Sequence, residues 1–214
     1  MTGSKIASEE FILRFLEHVV FDGWSRHALD AAATDLGMDQ MAVRAAAPNG
    51  LLDMVRIFSD LADLKMIREL EYMDINRLPV RDKIKTAVRL RLQQNEIHKD
   101  AIGKMLSFLV LPGNSSLGAK CVFGTVDKMW RVAGDNSIDF NYYTKRGLLA
   151  GVYSSTVLYW LSDGSEAHQD TWGFLDRRIE NVLKIPKIQS AFRARLSRLP
   201  SPIRLTRRKC MCDS

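Results

Sequence analysis

Apolar residues recur at intervals of three and four positions along most of the chain, the spacing that places them on one side of an α-helix. No stretch keeps the strict alternation of a half-buried strand, and no Asn-Gly hairpin turn separates two such stretches. The pattern therefore predicts an all-α protein. The predicted helices cover approximately residues 9–21, 26–36, 40–47, 51–73, 80–94, 98–110, 117–133, 140–161, 168–184 and 187–199.

The first three predicted helices are short, and each follows a residue suited to capping a helix. Ser8, Ser25 and Asp39 can accept a hydrogen bond from a free amide of the first turn, and Gly23 and Gly37 can end the preceding helices. Three short helices followed by a long one, with a glycine turn between the second and third, are the arrangement of a helix-turn-helix module.

The charge of this module argues against DNA binding. Between Asp22 and Gly50 four aspartates face two arginines, a net charge of −2, and the candidate reading helix offers only Gln40 and Arg44 to bases or phosphates. A DNA-binding domain needs a positive surface to displace counterions. The module is therefore predicted to be a retained scaffold, and no nucleic acid partner is expected.

The positive charge of the chain is concentrated at its carboxyl end. Residues 177–214 hold 11 Lys or Arg against two acids, a net charge of +9, so residues 1–176 carry −3 of the total of +6. An apolar stripe repeats here on one side of a predicted helix that starts near Pro186. Binding to an anionic membrane surface and packing on the protein body both stay open. The candidate membrane-binding residues are Ile188, Phe192, Arg193, Leu196, Arg198 and Leu199.

No motif in the chain points to catalysis. The stretch from Gly113 to Lys120 is close to a phosphate-binding loop, but Ala119 stands where lysine is required and no strand precedes it. The four histidines are scattered, and the three cysteines lack metal-binding spacing, a usage typical of a reducing compartment. We therefore predict no catalytic residue, metal or cofactor, and no enzyme activity.

Two stretches of the second half stand out by their side chains. Asp139 can cap a helix that begins with Phe140, Tyr142 and Tyr143, a set suited either to a partner surface or to the core. The helix that follows is apolar on almost every side, from Leu148 to Trp160, and is predicted to be buried. Its bulk, with that of neighbouring segments, can form either a filled core or an apolar cavity.

These stretches also carry a resemblance to a known family. The run Gly134–Arg146, the apolar segment Leu148–Tyr153 and the segment Asp170–Ile179 resemble the ubiquinone biosynthesis accessory proteins, the ninth of the Coq series. The shared pattern is Gly-Asp-x-Ser-x-Asp-Phe-Asn-aromatic-Tyr-Thr-x-Arg, an apolar helix, and then Asp-Thr-Trp-x-Phe-Leu-x-x-Arg. Mitochondrial members usually have tryptophan where this chain has Tyr142.

The resemblance implies a TetR-like all-α fold without DNA binding, in which the second domain holds an isoprenoid lipid. Together with the charge and periodicity of the carboxyl end, it divides the chain into a helix-turn-helix-like module (1–50), a helical lipid-binding domain (51–184) and a basic membrane-binding tail (185–214). The candidate lipid-binding residues are Phe108, Leu109, Val126, Trp130, Leu149, Val152, Tyr153, Trp160 and Trp172. The candidate partner-binding residues are Asp135, Asp139, Asn141, Tyr142 and Tyr143.

By the same resemblance, the chain is expected to act in ubiquinone biosynthesis without catalysing a step. The expected partners are an isoprenoid quinone or phospholipid ligand, an anionic membrane surface and the di-iron hydroxylase that acts on demethoxyubiquinone; a homodimer is left open. The expected location is cytoplasmic, on the inner face of a bacterial inner membrane. The alternative function is a TetR-type transcription regulator that responds to a ligand.

Overall fold

The computed structural model describes the backbone of residues 2–135 and 140–196, and the side chains of residues 9–135 and 142–182. Within these ranges the chain forms α-helices joined by loops and short 3-10 turns, and no strand. This confirms the all-α prediction. The helices are α1 (Thr2–Asp22), α2 (Arg26–Asp35), α3 (Gln40–Ala46), α4 (Leu51–Tyr72), α5 (Val80–Gln93), α6 (Lys99–Val110), α7 (Ser115–Val132), α8 (Phe140–Ser162) and α9 (Gln169–Leu196).

The predicted caps of α2 and α3 are present. The Ser25 hydroxyl accepts a hydrogen bond from the Ala28 amide at 3.2 Å, and an Asp39 carboxylate oxygen accepts one from the Ala42 amide at 2.7 Å. Gly37 follows α2 with a φ of +61°, a conformation that residues with a Cβ rarely adopt. Local side-chain chemistry therefore sets the ends of these short helices.

The first and last helices differ from the predicted ones. Ser8 does not cap α1, which begins at Thr2, because residues 2–8 contain no proline and a serine is tolerated within a helix. A separate helix starting near Pro186 was also expected, but α9 continues from Gln169 to Leu196. Proline inside a helix removes one backbone hydrogen bond without necessarily ending the helix. The backbone of α9 thus crosses the predicted domain boundary between residues 184 and 185.

The amino-terminal module packs directly on the larger helical bundle. Phe11, Phe15 and Trp24 are buried, and the rings of Phe15 and Trp24 meet edge to face with their centroids 5.0 Å apart. The Trp24 indole donates a hydrogen bond to the Leu51 carbonyl at 3.4 Å, which joins the module to the start of α4. Since α1 also contacts α4 and α6, one continuous apolar core connects the two parts.

The remaining helices surround α4 and α7. Helix α4 packs against α5 and α7, α7 packs against α8, and α9 packs against both α5 and α8. Gly113, with a φ of +93°, lies in the short turn between α6 and α7. This arrangement places the inner sides of α4, α5, α6, α7 and α8 around one common space.

Candidate functional site

The space between these five helices is an apolar cavity of about 470 Å³. This volume lies in the range of small-molecule binding pockets, roughly 300–1,000 Å³. Its lining is made mostly of aliphatic and aromatic side chains, with a smaller number of polar ones. The lining residues are Val55, Phe58, Ser59, Arg91, Leu92, Ile102, Met105, Leu106, Leu109, Val110, Ser115, Gly118, Ala119, Cys121, Val122, Thr125, Tyr153, Ser154, Val157 and Leu158.

Small residues on α7 and α8 leave room for the cavity. Gly118, Ala119 and Ser154 line it where larger side chains would project into it. A Cβ built on Gly118 would already lie 3.5 Å from a Leu109 methyl group, so the two helices approach closely at that point. The segment that only resembles a phosphate-binding loop thus contributes three small residues, Ser115, Gly118 and Ala119, to the cavity wall.

One end of the cavity opens to solvent between α6 and α8. Val110 and Leu158 line the cavity there, yet their side chains are 80% and 62% exposed. The expectation that α8 is buried on every side is therefore wrong at Leu158, because no described helix covers this edge of α8. An exposed apolar rim suits the entry of an apolar ligand better than that of a polar one.

The inner end of the cavity is polar. Arg91 is 6% exposed, and its Nε donates a hydrogen bond to Asp63 at 2.9 Å. Asp63 is 1% exposed and also accepts hydrogen bonds from the Thr125 hydroxyl at 2.9 Å and from the Lys128 ammonium at 2.9 Å. Burial alone would lower the pKa of Arg91, but the nearby Tyr153 and Asp63 raise it, so the guanidinium stays charged.

The predicted lipid-binding residues do not all lie at this cavity. Leu109 and Tyr153 line it, whereas Val126, Leu149, Val152 and Trp160 are buried in the core and Phe108 and Trp130 pack against that core. Trp172 lies beside a separate groove, under the Arg89 guanidinium at 5.0 Å. Of the predicted aromatic residues, Tyr153 is the one that lines the cavity, and the others lie elsewhere.

Most of the cavity wall was missed from the sequence. Arg91, Val55 and Phe58 belong to α4 and α5, which carried no candidate residue. On α6, Ile102, Met105, Leu106 and Leu109 follow one another at the spacing of a single helix face. That spacing identifies an inward face, and it could have added Ile102, Met105 and Leu106 to the candidate residues Phe108 and Leu109 of this helix.

The predicted partner surface has one exposed aromatic ring supported by others. Tyr143 is 67% exposed, and its ring meets that of Tyr142 edge to face with centroids 5.1 Å apart. Phe123, on α7, lies beside Tyr142 at 6.4 Å and is also partly exposed. Asp139 and the side chain of Asn141 lie outside the described residues.

Beneath these rings is an ion-pair cluster centred on the buried guanidinium of Arg146. Its Nε donates to Asp127 at 2.6 Å, and its Nη1 donates to Asp135 at 3.2 Å. The guanidinium also lies 3.5 Å from the centre of the Tyr142 ring, and the Tyr142 hydroxyl donates to Asp127 at 3.0 Å. Burial alone would raise the pKa of Asp127, but hydrogen bonds from Arg146, Arg131 and Tyr142 lower it.

This cluster changes the role expected for Asp135. Its side chain is 8% exposed and also pairs with the Lys145 ammonium at 2.6 Å. Asp135 therefore holds the start of α8 against the end of α7, where its charge is turned inward. Tyr143 is the member of the predicted set whose described side chain faces solvent.

The candidate membrane-binding residues fall on or beyond the end of α9. The backbone at Ile188, Phe192, Arg193 and Leu196 is helical, but their side chains lie outside the described residues. Arg198 and Leu199 lie outside them altogether. No helix of the described chain is long and apolar enough to cross a membrane. The described residues also hold no group of three or more His, Cys, Asp or Glu side chains placed to bind a metal ion.

Comparison with known proteins agrees with the pattern seen in the sequence. Residues 115–186 match the COQ9 family model. The chain is 33% identical over 177 residues to the mitochondrial ubiquinone biosynthesis protein COQ9 of Rattus norvegicus, a match that covers 79% of this chain and 56% of that protein. It is 27% identical over 181 residues to the probable mitochondrial ubiquinone biosynthesis protein coq9 of Dictyostelium discoideum, covering 82% of this chain and 59% of that protein.

These matches confirm the resemblance to the ninth proteins of the Coq series. The chain spans little more than half the length of the relatives just described. Among solved structures, the TetR transcriptional regulator from Nitrosomonas europaea is similar, with a TM-score of 0.68 and 18% identity over 83% of this chain and 98% of that one. Identity at this level establishes the TetR-like fold alone.

Replacing Arg146 with methionine is expected to lower the free energy of unfolding by roughly 2–3 kcal/mol, because Asp127 and Asp135 lose a buried partner. Chemical denaturation measures this loss. Arg131→Met is the matched control, since Arg131 also pairs with Asp127 but is 69% exposed, and its loss is expected to stay below about 1 kcal/mol. Equal losses of unfolding free energy in the two variants would contradict the conclusion that the buried Arg146 stabilises Asp127 and Asp135 more than an exposed arginine does.

Proposed function

We propose that this chain is a non-enzymatic accessory protein of ubiquinone biosynthesis that binds an isoprenoid quinone intermediate, docks on a membrane surface and presents the intermediate to a hydroxylase. The observation that carries the proposal is the apolar cavity with an exposed apolar rim at Val110 and Leu158. The similarity to ubiquinone biosynthesis proteins supplies the pathway.

The shape and lining of the cavity support an amphipathic ligand with a long apolar tail. Burial of apolar surface contributes about 25 cal/mol per Å², so each prenyl unit that enters strengthens binding. A tail longer than the cavity can extend out through the opening between Val110 and Leu158, where it contacts apolar side chains. The ligand head occupies the inner end, where the lining is polar, until the ligand is handed to the hydroxylase.

The basic tail supports docking on an anionic bilayer. Each Lys or Arg close to such a surface contributes roughly 1 kcal/mol, and residues 177–214 carry 11 of them. The helical backbone of α9 continues to Leu196, through most of the apolar stripe. A helix that is basic on one side and apolar on the other binds reversibly at the level of lipid head groups.

The exposed Tyr143 ring supports a protein contact at the start of α8. Tyrosine contributes apolar area and a hydrogen bond together, and rigid aromatic anchors dominate many interfaces. The contacts of Tyr142 with Arg146 and Asp127 hold the neighbouring ring before any partner arrives. The partner of this surface is proposed to be the demethoxyubiquinone hydroxylase.

DNA binding is not proposed, despite the TetR-like fold. The segment from Asp22 to Gly50 is net negative, and Arg44 is the single basic residue of α3. Without a positive surface, few counterions would be released from DNA on binding. The fold therefore serves here as a scaffold for the cavity.

The lipid-binding proposal predicts that purified protein retains an isoprenoid lipid, detectable by mass spectrometry after solvent extraction. Ser154→Phe places a ring in the cavity and is expected to reduce the retained lipid several-fold, because little apolar volume remains. Ser162→Phe on the same helix is the matched control, since Ser162 is exposed and does not line the cavity. Equal lipid content in the two variants would contradict binding at this cavity.

The membrane proposal predicts a difference between two double variants that add the same charge. On a helical wheel Phe192 and Leu196 lie in the apolar stripe, whereas Ser190 and Ala194 lie across from it. Flotation with anionic vesicles is expected to fall strongly for F192D/L196D and only modestly for S190D/A194D. Equal loss would mean that charge alone, and not the apolar stripe, binds the membrane.

The partner proposal predicts that Tyr143→Ala weakens capture of the demethoxyubiquinone hydroxylase by about tenfold or more, the usual effect of removing an aromatic anchor. Tyr72→Ala is the control, because Tyr72 is 87% exposed at the end of α4. Retained lipid is expected to be unchanged in both variants. Undiminished capture by Tyr143→Ala would remove this surface from the proposal.

A further inference from the structure

The polar inner end of the cavity has hydrogen-bond donors that are not used by the protein, whereas the oxygens of its carboxylate are all used. Both oxygens of Asp63 are occupied, because they accept from Arg91, Thr125 and Lys128. Arg91 donates through Nε to Asp63 and through Nη2 to the Ser59 carbonyl at 3.4 Å, while its Nη1 donates to no described residue. Free donors therefore remain at this end, whereas its carboxylate is saturated.

Tyr153 adds a second free donor. Its side chain is 7% exposed and lines the cavity, and its hydroxyl makes no hydrogen bond to any residue that the structure describes. Burial raises the pKa of Tyr153 despite the lowering effect of Arg91, so the hydroxyl keeps its proton at neutral pH. Tyrosine hydroxyls that line an apolar cavity usually find a hydrogen-bond partner, and an oxygen of a cavity occupant can accept from this one.

The charges around this end already balance. Arg91 and Lys128 are positive, and Asp63 and Asp60 are negative, with Lys128 bridging both aspartates at 2.9 and 2.8 Å. A carboxylate or phosphate entering the cavity would have to lose its hydration without gaining an uncompensated positive partner. A neutral oxygen acceptor gains the free hydrogen bonds without this penalty.

We propose that Arg91 and Tyr153 form a head-group subsite that donates hydrogen bonds to a neutral carbonyl oxygen of a quinone-class ring. The tail of the ligand extends toward the opening at Val110 and Leu158. This inference rests on the proposed lipid-binding function and specifies which part of the ligand the inner end selects.

The cysteine in the cavity wall is compatible with such a ring. Quinones are attacked by thiolates, and Cys121 lines the cavity. Burial raises the pKa of the Cys121 thiol, outweighing the lowering effect of a hydrogen bond with Ser59. The sulfur is therefore held in the unreactive thiol form beside the ligand.

Tyr153→Phe tests the subsite, because it removes a hydroxyl that holds no other residue in place. The probe is a dimethoxybenzoquinone with a decyl tail, and its affinity for the full chain is measured by isothermal titration calorimetry. Binding to Tyr153→Phe is expected to weaken about fivefold to tenfold, the loss for one hydrogen bond. Tyr159→Phe on the same helix is the matched control, because Tyr159 stacks on Phe174 away from the cavity, and its affinity is expected to be unchanged.

Two further probes separate this inference from the proposed function. Squalene, which has no polar head, is expected to bind the natural chain and both variants equally, and decanoate is expected to bind more weakly than the quinone. Squalene binding with quinone affinity unaffected by Tyr153→Phe would overturn the subsite and leave the lipid cavity standing. Tighter binding of decanoate would overturn the preference for a neutral head, and absence of binding by all three probes would overturn the proposed function itself.

Discussion

The arrangement of the helical bundle depends on the hydrogen bonds and ion pairs made by the buried carboxylate of Asp63. Asp63 belongs to α4 and accepts hydrogen bonds from Arg91 on α5 and from Thr125 and Lys128 on α7, so it joins three helices at one point. An unpaired charge in such a position would destabilise the fold by several kcal/mol, roughly 3–5, so the three helices must keep their mutual register. The cavity lies directly against this junction, and its polar end is a consequence of the cross-link.

The parts of the fold that depend on short-range chemistry could be predicted from the sequence. Ser25 and Asp39 cap their helices as their side chains and positions indicate, and the turn at Gly37 requires the left-handed conformation that glycine adopts most readily. Pro186 shows the limit of the same reasoning. A proline marks a favoured helix start, but whether the preceding helix stops depends on the neighbouring turns, and α9 continues through it.

The cavity could not be located in the same way, because an empty space is a property of several helices together. Trp160 and Leu109 are both apolar residues on helices with an apolar side. Trp160 nevertheless fills the core and donates a hydrogen bond from its indole nitrogen to Glu96, whereas Leu109 lines the cavity. Periodicity identifies the inward face of each helix without showing where the facing helices stand apart. Arg91 was missed for a related reason, since a lone arginine on a helix is usually on the surface, and only its pairing with Asp63 explains its burial.

Helix α8 connects the two parts of the proposed function in one rigid element. Tyr142 and Tyr153 are eleven positions apart, which places them on nearly the same side of the helix, about 20° apart around its axis and about 16 Å along it. The Tyr142 ring lies under the buried guanidinium of Arg146, and Tyr153 lines the cavity that buried Arg91 also lines. Tyr143 is rotated by about 100° from this side and faces solvent. Tyr142, which holds the helix start in position, and Tyr143, which is exposed for a partner, are therefore adjacent in the sequence. The rotation between successive helical residues is what places them on different sides of α8.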